Sequence, residues 1–427
     1  MKTIGVIVGL LISILVQAQD DYVPQELKYD NRVYQSSIKT VQLRRKGFDQ
    51  SEPMIELGGT EQLLLSFDNL SRDLKNYNYT LVHCDNTWQP DRLTPAEYTQ
   101  GFADDIIRNY KYSFNTTQGF VHYEVAFPNE NMQLTKSGNY LLKVYENYAP
   151  DNLVLTYRFI VIDNQISVSA QFTRSGVVSK RTTHQQIDFK IDYGKLSIAS
   201  PFSDLKIVVL KNADWNEALR GLQPTFLNGS ECTYSNANDN SIAAGNDYRE
   251  FDFRNFRYTT QYVNTIEFDT SRHYNVYLQN DVARSKRYFY KGDLNGKYLI
   301  NSVLARNPET DADYAYVRFY YPKTEPFKEG ELYVYGQLSN YNYLPENKLT
   351  YDKALGAYYA KLTLKQGYYN YEYRLVNYGE TTGNPSIIEG DYFDTENDYT
   401  ILVYAQTQGK YYDQLLGYYR MNSTRGN

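Results

Sequence analysis

The sequence predicts an all-β protein, built as tandem immunoglobulin-like β-sandwich domains with little helix. Two observations carry this expectation. Alternating apolar and polar segments recur along the chain between Gly, Asn, Asp and Pro, while long runs of helical period are missing. Tyrosine, which favours strands and half-buried sheet faces, supplies 46 of 427 residues. Its ring can cover an exposed sheet face while the hydroxyl stays wet.

The elements follow in order. Glu61 to Phe67 reads as a strand. In Asn76 to Cys84, Tyr77, Tyr79, Leu81 and His83 share one face, and Asn78, Thr80, Val82 and Cys84 share the other. One helix of about two turns is expected before Gly101, with Thr94 as cap, Pro95 at its first position and Glu97 closing a capping box. Phe120 to Phe127, Gly138 to Tyr145 and Leu153 to Ile162 complete a first domain over 19–163. A second, over 164–292, takes strands at Ile166 to Phe172, Gln186 to Tyr193, Leu205 to Lys211, Tyr262 to Phe268 and Tyr274 to Asn280. Asn228 to Asp247 is rich in Asn, Ser, Ala and Gly and reads as loop. A third, over 293–427, takes Tyr314 to Tyr321, Glu331 to Gly336, Tyr358 to Leu364, Tyr369 to Leu375, Ile401 to Tyr404 and Gln414 to Tyr419. Gln366-Gly367 is expected to turn a hairpin. Three units with about seven short strands each suggest sandwiches in series.

The start of the chain points to export. Lys2, an apolar run from Ile4 to Val16 and the small-residue pattern Val16-Gln17-Ala18 read as a signal peptide over 1–18. The run is shorter than the roughly 18 apolar residues of a membrane span. Formal net charge is −6, a mild acidic balance without a basic stripe, so nucleic acid is not an expected partner. Only Cys84 and Cys232 are present, in different predicted domains, and a bridge between them is not expected. A chain of this length buries ample core without staples.

Chemistry is thin. His83, Cys84 and Asp85 stand together with Trp88 close behind. On a strand, however, His83 and Cys84 point to opposite faces and cannot form a nucleophile pair. A metal would need further ligands converging on them, and His122, His184 and His273 are scattered singly. His122 would approach His83 only if their strands paired. The favoured reading is a buried strand end, with Asp85 starting a turn and Trp88 covering the sandwich. Asp104-Asp105 and Asp311/Asp313 read as turn acids rather than glycosidase or calcium carboxylates. No G-x-S-x-G elbow, P-loop, H-E-x-x-H or dinucleotide glycine pattern occurs. No enzyme is therefore expected, and no catalytic, cofactor-binding or metal residue is assigned.

Gly336 to Val376 resembles the early-set modules that accompany starch- and glycogen-active enzymes, although both tryptophans, Trp88 and Trp215, lie outside it. That resemblance motivates a second reading, a periplasmic or surface carbohydrate-binding protein using Tyr369 and Tyr371.

A broader resemblance rests on YTLVHCDNTWQP (79–90), LTPAEYTQGF (93–102), IRNYKYSFNTTQGFVHY (107–123), SGNYLLKVY (137–145), IEGDYFDTENDYTILVY (388–404) and YDQLLGYY (412–419). Taken together, these stretches resemble the type IX secretion system plug protein family. The resemblance implies a periplasmic protein without enzymatic activity or cofactor. Its partner would be the giant outer-membrane β-barrel translocon of that system, engaged in one copy per translocon and contacting the membrane only through that barrel. The plug would seal the periplasmic mouth of the pore when no substrate is passing.

Overall fold

A computed structural model of the chain describes residues 25–284, 287–407 and 409–424. The expected signal peptide lies outside them. Among the described residues strands dominate, arranged in several mainly antiparallel sheets without a closed barrel, and each α-helical segment is a single turn. No helix among them is long and apolar enough to cross a membrane.

The first unit is a sandwich. One sheet runs Arg32–Val33, Leu153–Ile162, Gly138–Glu146, Tyr77–Cys84 and Asp104–Ile106, with Met54–Glu56 joined in parallel to Leu153–Ile162. The other runs Ile38–Arg45, Leu63–Asn69, Val121–Phe127 and Asn109–Tyr112. Period-two alternation sends Leu63, Leu65 and Phe67 inward from one sheet and Tyr77, Tyr79 and Leu81 inward from the other. The expected helix forms at Pro95–Tyr98 with its capping box: the Thr94 amide and hydroxyl both donate to Glu97, at 2.7 and 2.8 Å. It lasts one turn rather than two, because Tyr98 is anchored to the Leu81 carbonyl at 2.8 Å and Thr99 enters a two-stranded ribbon.

The boundary expected at 292/293 needs correction. Arg249–Asp252, Val263–Phe268 and Tyr274–Leu278 pair into the sheets of the third unit, alongside Gly367–Asn377 and Tyr314–Pro322. Conversely, Asp398–Ala405 and Gln414–Asn422 belong to the second. Asp398–Ala405 lies beside Leu205–Lys211, and Tyr399, Ile401, Val403 and Leu416 fill the second unit's core. The third unit is thus inserted into the second. Alternation marks each of these segments as a strand but says nothing about its neighbour in the sheet.

Two local expectations also change. Asn228 to Asp247 contains Glu231–Tyr234 and Ser241–Ala243, both paired with His184–Asp192 and sending Cys232, Tyr234 and Ile242 into the core. Gln366-Gly367 turns a corner between sheets, not a hairpin, since Ala357–Lys365 and Gly367–Asn377 lie in different sheets. A Cβ on Gly367 would lie 2.5 Å from the Leu299 carbonyl oxygen, so the close approach requires glycine.

The three units touch pairwise. Between the first and second lies an apolar layer of Cys84, Trp88, Leu141 and Ile160 against Val208, Leu402 and Leu415. Trp88 meets Trp215 edge-on at 4.8 Å, and Arg158 stacks over it at 4.6 Å. The Tyr404 hydroxyl, inside the same layer, donates to Asn139 at 2.7 Å. The other two seams are polar. Arg374 of the third unit reaches Asp214 at 3.1 Å and Glu217 at 2.9 Å in the second. Lys365 of the third reaches Asp68 of the first at 2.6 Å.

Candidate functional site

The His83 neighbourhood is a strand end. Both ring nitrogens are engaged: Nδ1 in a short hydrogen bond with Asp91, Nε2 with the Ser137 carbonyl at 3.1 Å. Tyr98, Tyr140 and Tyr412 surround the ring. Cys84 points the opposite way into the layer between units, where burial pushes its thiol up to about 12. Neither cysteine forms a disulfide. Asp85 starts the turn, accepting the Thr87 and Gln89 amides at 2.8 and 3.0 Å. Trp88 is buried between units rather than capping one sandwich.

The other acids are structural. Asp104 takes the Tyr145 hydroxyl, and Asp105 takes Asn131 and Arg108. Asp311 accepts the Arg306 and Asn307 amides. Asp313 crosses a seam to accept the Thr117 and Gln118 amides at 2.6 and 3.1 Å. His184 pairs with Thr183, and His273 sits beside Tyr316 and Asp269. Tyr369 and Tyr371 are core residues, Tyr369 stacked on Phe251 at 5.2 Å, so neither ring is available to a sugar.

His122 does not approach His83, because their strands lie in opposite sheets. It joins a buried polar cluster on the seam between the first and third units. The sheet register sets Asp68 opposite His122 and Ser66 opposite Glu124. This face of the sheet meets the third unit. His122 Nδ1 lies 2.6 Å from Asp68, which also takes Lys365 and the Tyr314 hydroxyl at 2.6 Å each. His122 Nε2 lies 3.4 Å from Glu124 and 3.9 Å from Glu309 of the third unit. Desolvation alone would lower the His122 pKa, but hydrogen bonds to Asp68 and Glu124 outweigh it and raise the value. Glu124 is held down to about 2, first by His122, while burial and the facing Glu124 push Glu309 up. Sequence reasoning missed this cluster. The available signal was His122-Tyr123-Glu124, an i, i+2 pair that a strand places on one face.

The lateral edge of the first sandwich is open to a partner. Asp104–Ile106 ends one sheet and Asn109–Tyr112 ends the other, so the chain from 102 to 114 runs along one side. Every residue of Asn109–Tyr112 is exposed, and Phe102, Tyr110, Tyr112 and Phe114 present aromatic rings there. A terminal strand with exposed rings offers backbone groups and apolar anchors together.

Comparison with known proteins finds a matching family and similar solved structures. Residues 38–163 match the family described as the type 9 secretion system plug protein 1st domain. The chain is also similar to a hypothetical protein from Parabacteroides merdae, known from a crystal structure. The two are 33% identical with a TM-score of 0.89, and the match covers 93% of this chain and 100% of that one. No curated protein matches.

Proposed function

Because the chain belongs to the type IX secretion system plug protein family, we propose that it closes that system's outer-membrane β-barrel translocon from the periplasmic side whenever no substrate occupies the pore. The observation that carries this reading is the pairwise fusion of three sandwiches. An apolar layer joins the first unit to the second, and buried ion pairs tie the third to both. A seal must resist bending under load. Three modules each packed on the other two do so better than modules strung on linkers. The partner meets the exposed edge from 102 to 114, which lies within the family-matched region. Large rings give contact area, and a single free strand edge keeps the interface small enough to release.

Deleting the gene should admit large polar antibiotics across the outer membrane while export continues at least in part. In the same background, Tyr112→Asp combined with Phe114→Asp should leave a folded chain that no longer co-purifies with the barrel. Unchanged permeability after deletion would remove the sealing role. Undiminished co-purification of the double variant would move the docking surface elsewhere.

A further inference from the structure

We propose that His122, Glu124 and Glu309 form a site for a divalent transition-metal cation of the zinc or manganese class, which clamps the first unit to the third. The three donor atoms lie within 4.8 Å of one another. His122 Nε2 is 3.4 Å from Glu124 Oε1 and 3.9 Å from Glu309 Oε2. A tetrahedral ion with bonds of about 2.0–2.1 Å sets its ligands about 3.3–3.4 Å apart, so closing round an ion asks for sub-ångström shifts. One imidazole and two carboxylates suit zinc or manganese better than calcium or copper(I).

A second observation is independent of that spacing: the far side of every donor is already held. Asp68 fixes His122 Nδ1 at 2.6 Å, leaving Nε2 to face the carboxylates. Asn109 donates to the other oxygen of Glu124 at 3.0 Å. Arg44 holds the other oxygen of Glu309 at 3.4 Å. Metal-binding residues are typically oriented by such outer partners, a carboxylate behind the imidazole among them. The neighbouring cations stand behind the donors, with Arg44 on the outward oxygen of Glu309, Lys111 4.0 Å from that of Glu124, and Lys365 on Asp68. Two carboxylates thus meet across the seam with His122 Nε2 facing both. Glu309 is partly exposed, with 33% of its side chain accessible, which gives an ion a route in and a place for a water ligand. Two ligands come from one sandwich and one from the other, so bound metal opposes their separation.

The test uses the full purified chain stripped with chelator, titrated calorimetrically with zinc chloride and separately with manganese chloride, and melted with and without metal. One equivalent should bind at micromolar concentration or tighter and raise the melting temperature. Glu309→Gln, an isosteric change at a partly exposed position, should melt normally without metal, weaken binding about tenfold or more, and lose the metal-induced rise. His184→Ala, in the second unit, should bind as the parent does. Absence of binding by both metals overturns the proposal, as does binding or stabilisation that survives Glu309→Gln. Both readouts come from the isolated chain, so they stand or fall separately from the sealing role.

Discussion

Arg374 is fully buried, its guanidinium 3.8 Å over the Tyr335 ring, and it faces Asp214, Glu217 and Glu372. Lys211 adds a second cation at Glu217, 2.9 Å away. Three carboxylates therefore share two positive charges. Burial pushes Glu372 up from 4.5 to about 7, Arg374 pulls against that rise, and Glu217 adds to it. A group whose folded pKa is raised contributes stability that is complete below its unfolded value and lost as pH rises through its folded value. The melting temperature should therefore fall between pH 5 and pH 8, and Glu372→Gln should flatten that slope. An equal slope in the variant would mean that another group sets the pH dependence. Arg374→Met strands the carboxylates and should cost about 3–5 kcal/mol in urea unfolding. Tyrosine's abundance has the same physical root. Tyr314, Tyr335, Tyr371 and Tyr373 bury their rings while their hydroxyls reach Asp68, Asp214 and Asp281. These rings supply both core area and ties to buried acids, where the composition alone suggested wet sheet faces.

Strands joined across units dominate at the next scale up. Trp88 sits in left-handed backbone at φ 68° just after Tyr77–Cys84 and fills the layer between the first two units. Trp88→Ala should destabilise the chain by about 3–5 kcal/mol through the cavity it leaves. Chemical denaturation would measure this, and a loss below 1 kcal/mol would mean that the layer collapses around the gap. Most strands were legible because inward residues recur at every second position, as in Tyr358, Ala360, Leu362 and Leu364. The capping box at Thr94 and Glu97 was legible from residue type alone. Partners were not. Ile401 to Tyr404 announces a strand, but its pairing with Leu205–Lys211 spans nearly the length of the third unit. Glu231–Tyr234 was hidden by the small polar residues around it, and the seam cluster by its assembly from strands of two sandwiches plus one single-turn helix.

The whole molecule behaves as one body because the second unit is interrupted by the third and closed after it. Ending the chain after residue 395 would remove Asp398–Ala405 and Gln414–Asn422, stripping the second unit's core and the apolar layer under the first. Such a truncation should leave the segment from 164 to 244 open to limited proteolysis, while the full chain resists. Protection equal to the full chain would show that the final strands are dispensable. The same arrangement imposes a timetable on synthesis. The earliest sandwich can settle as soon as it is made, but the middle one must wait, half assembled, until the strands beyond the third unit have been made. Until then it presents a bare strand margin to whatever chaperone accompanies the nascent chain.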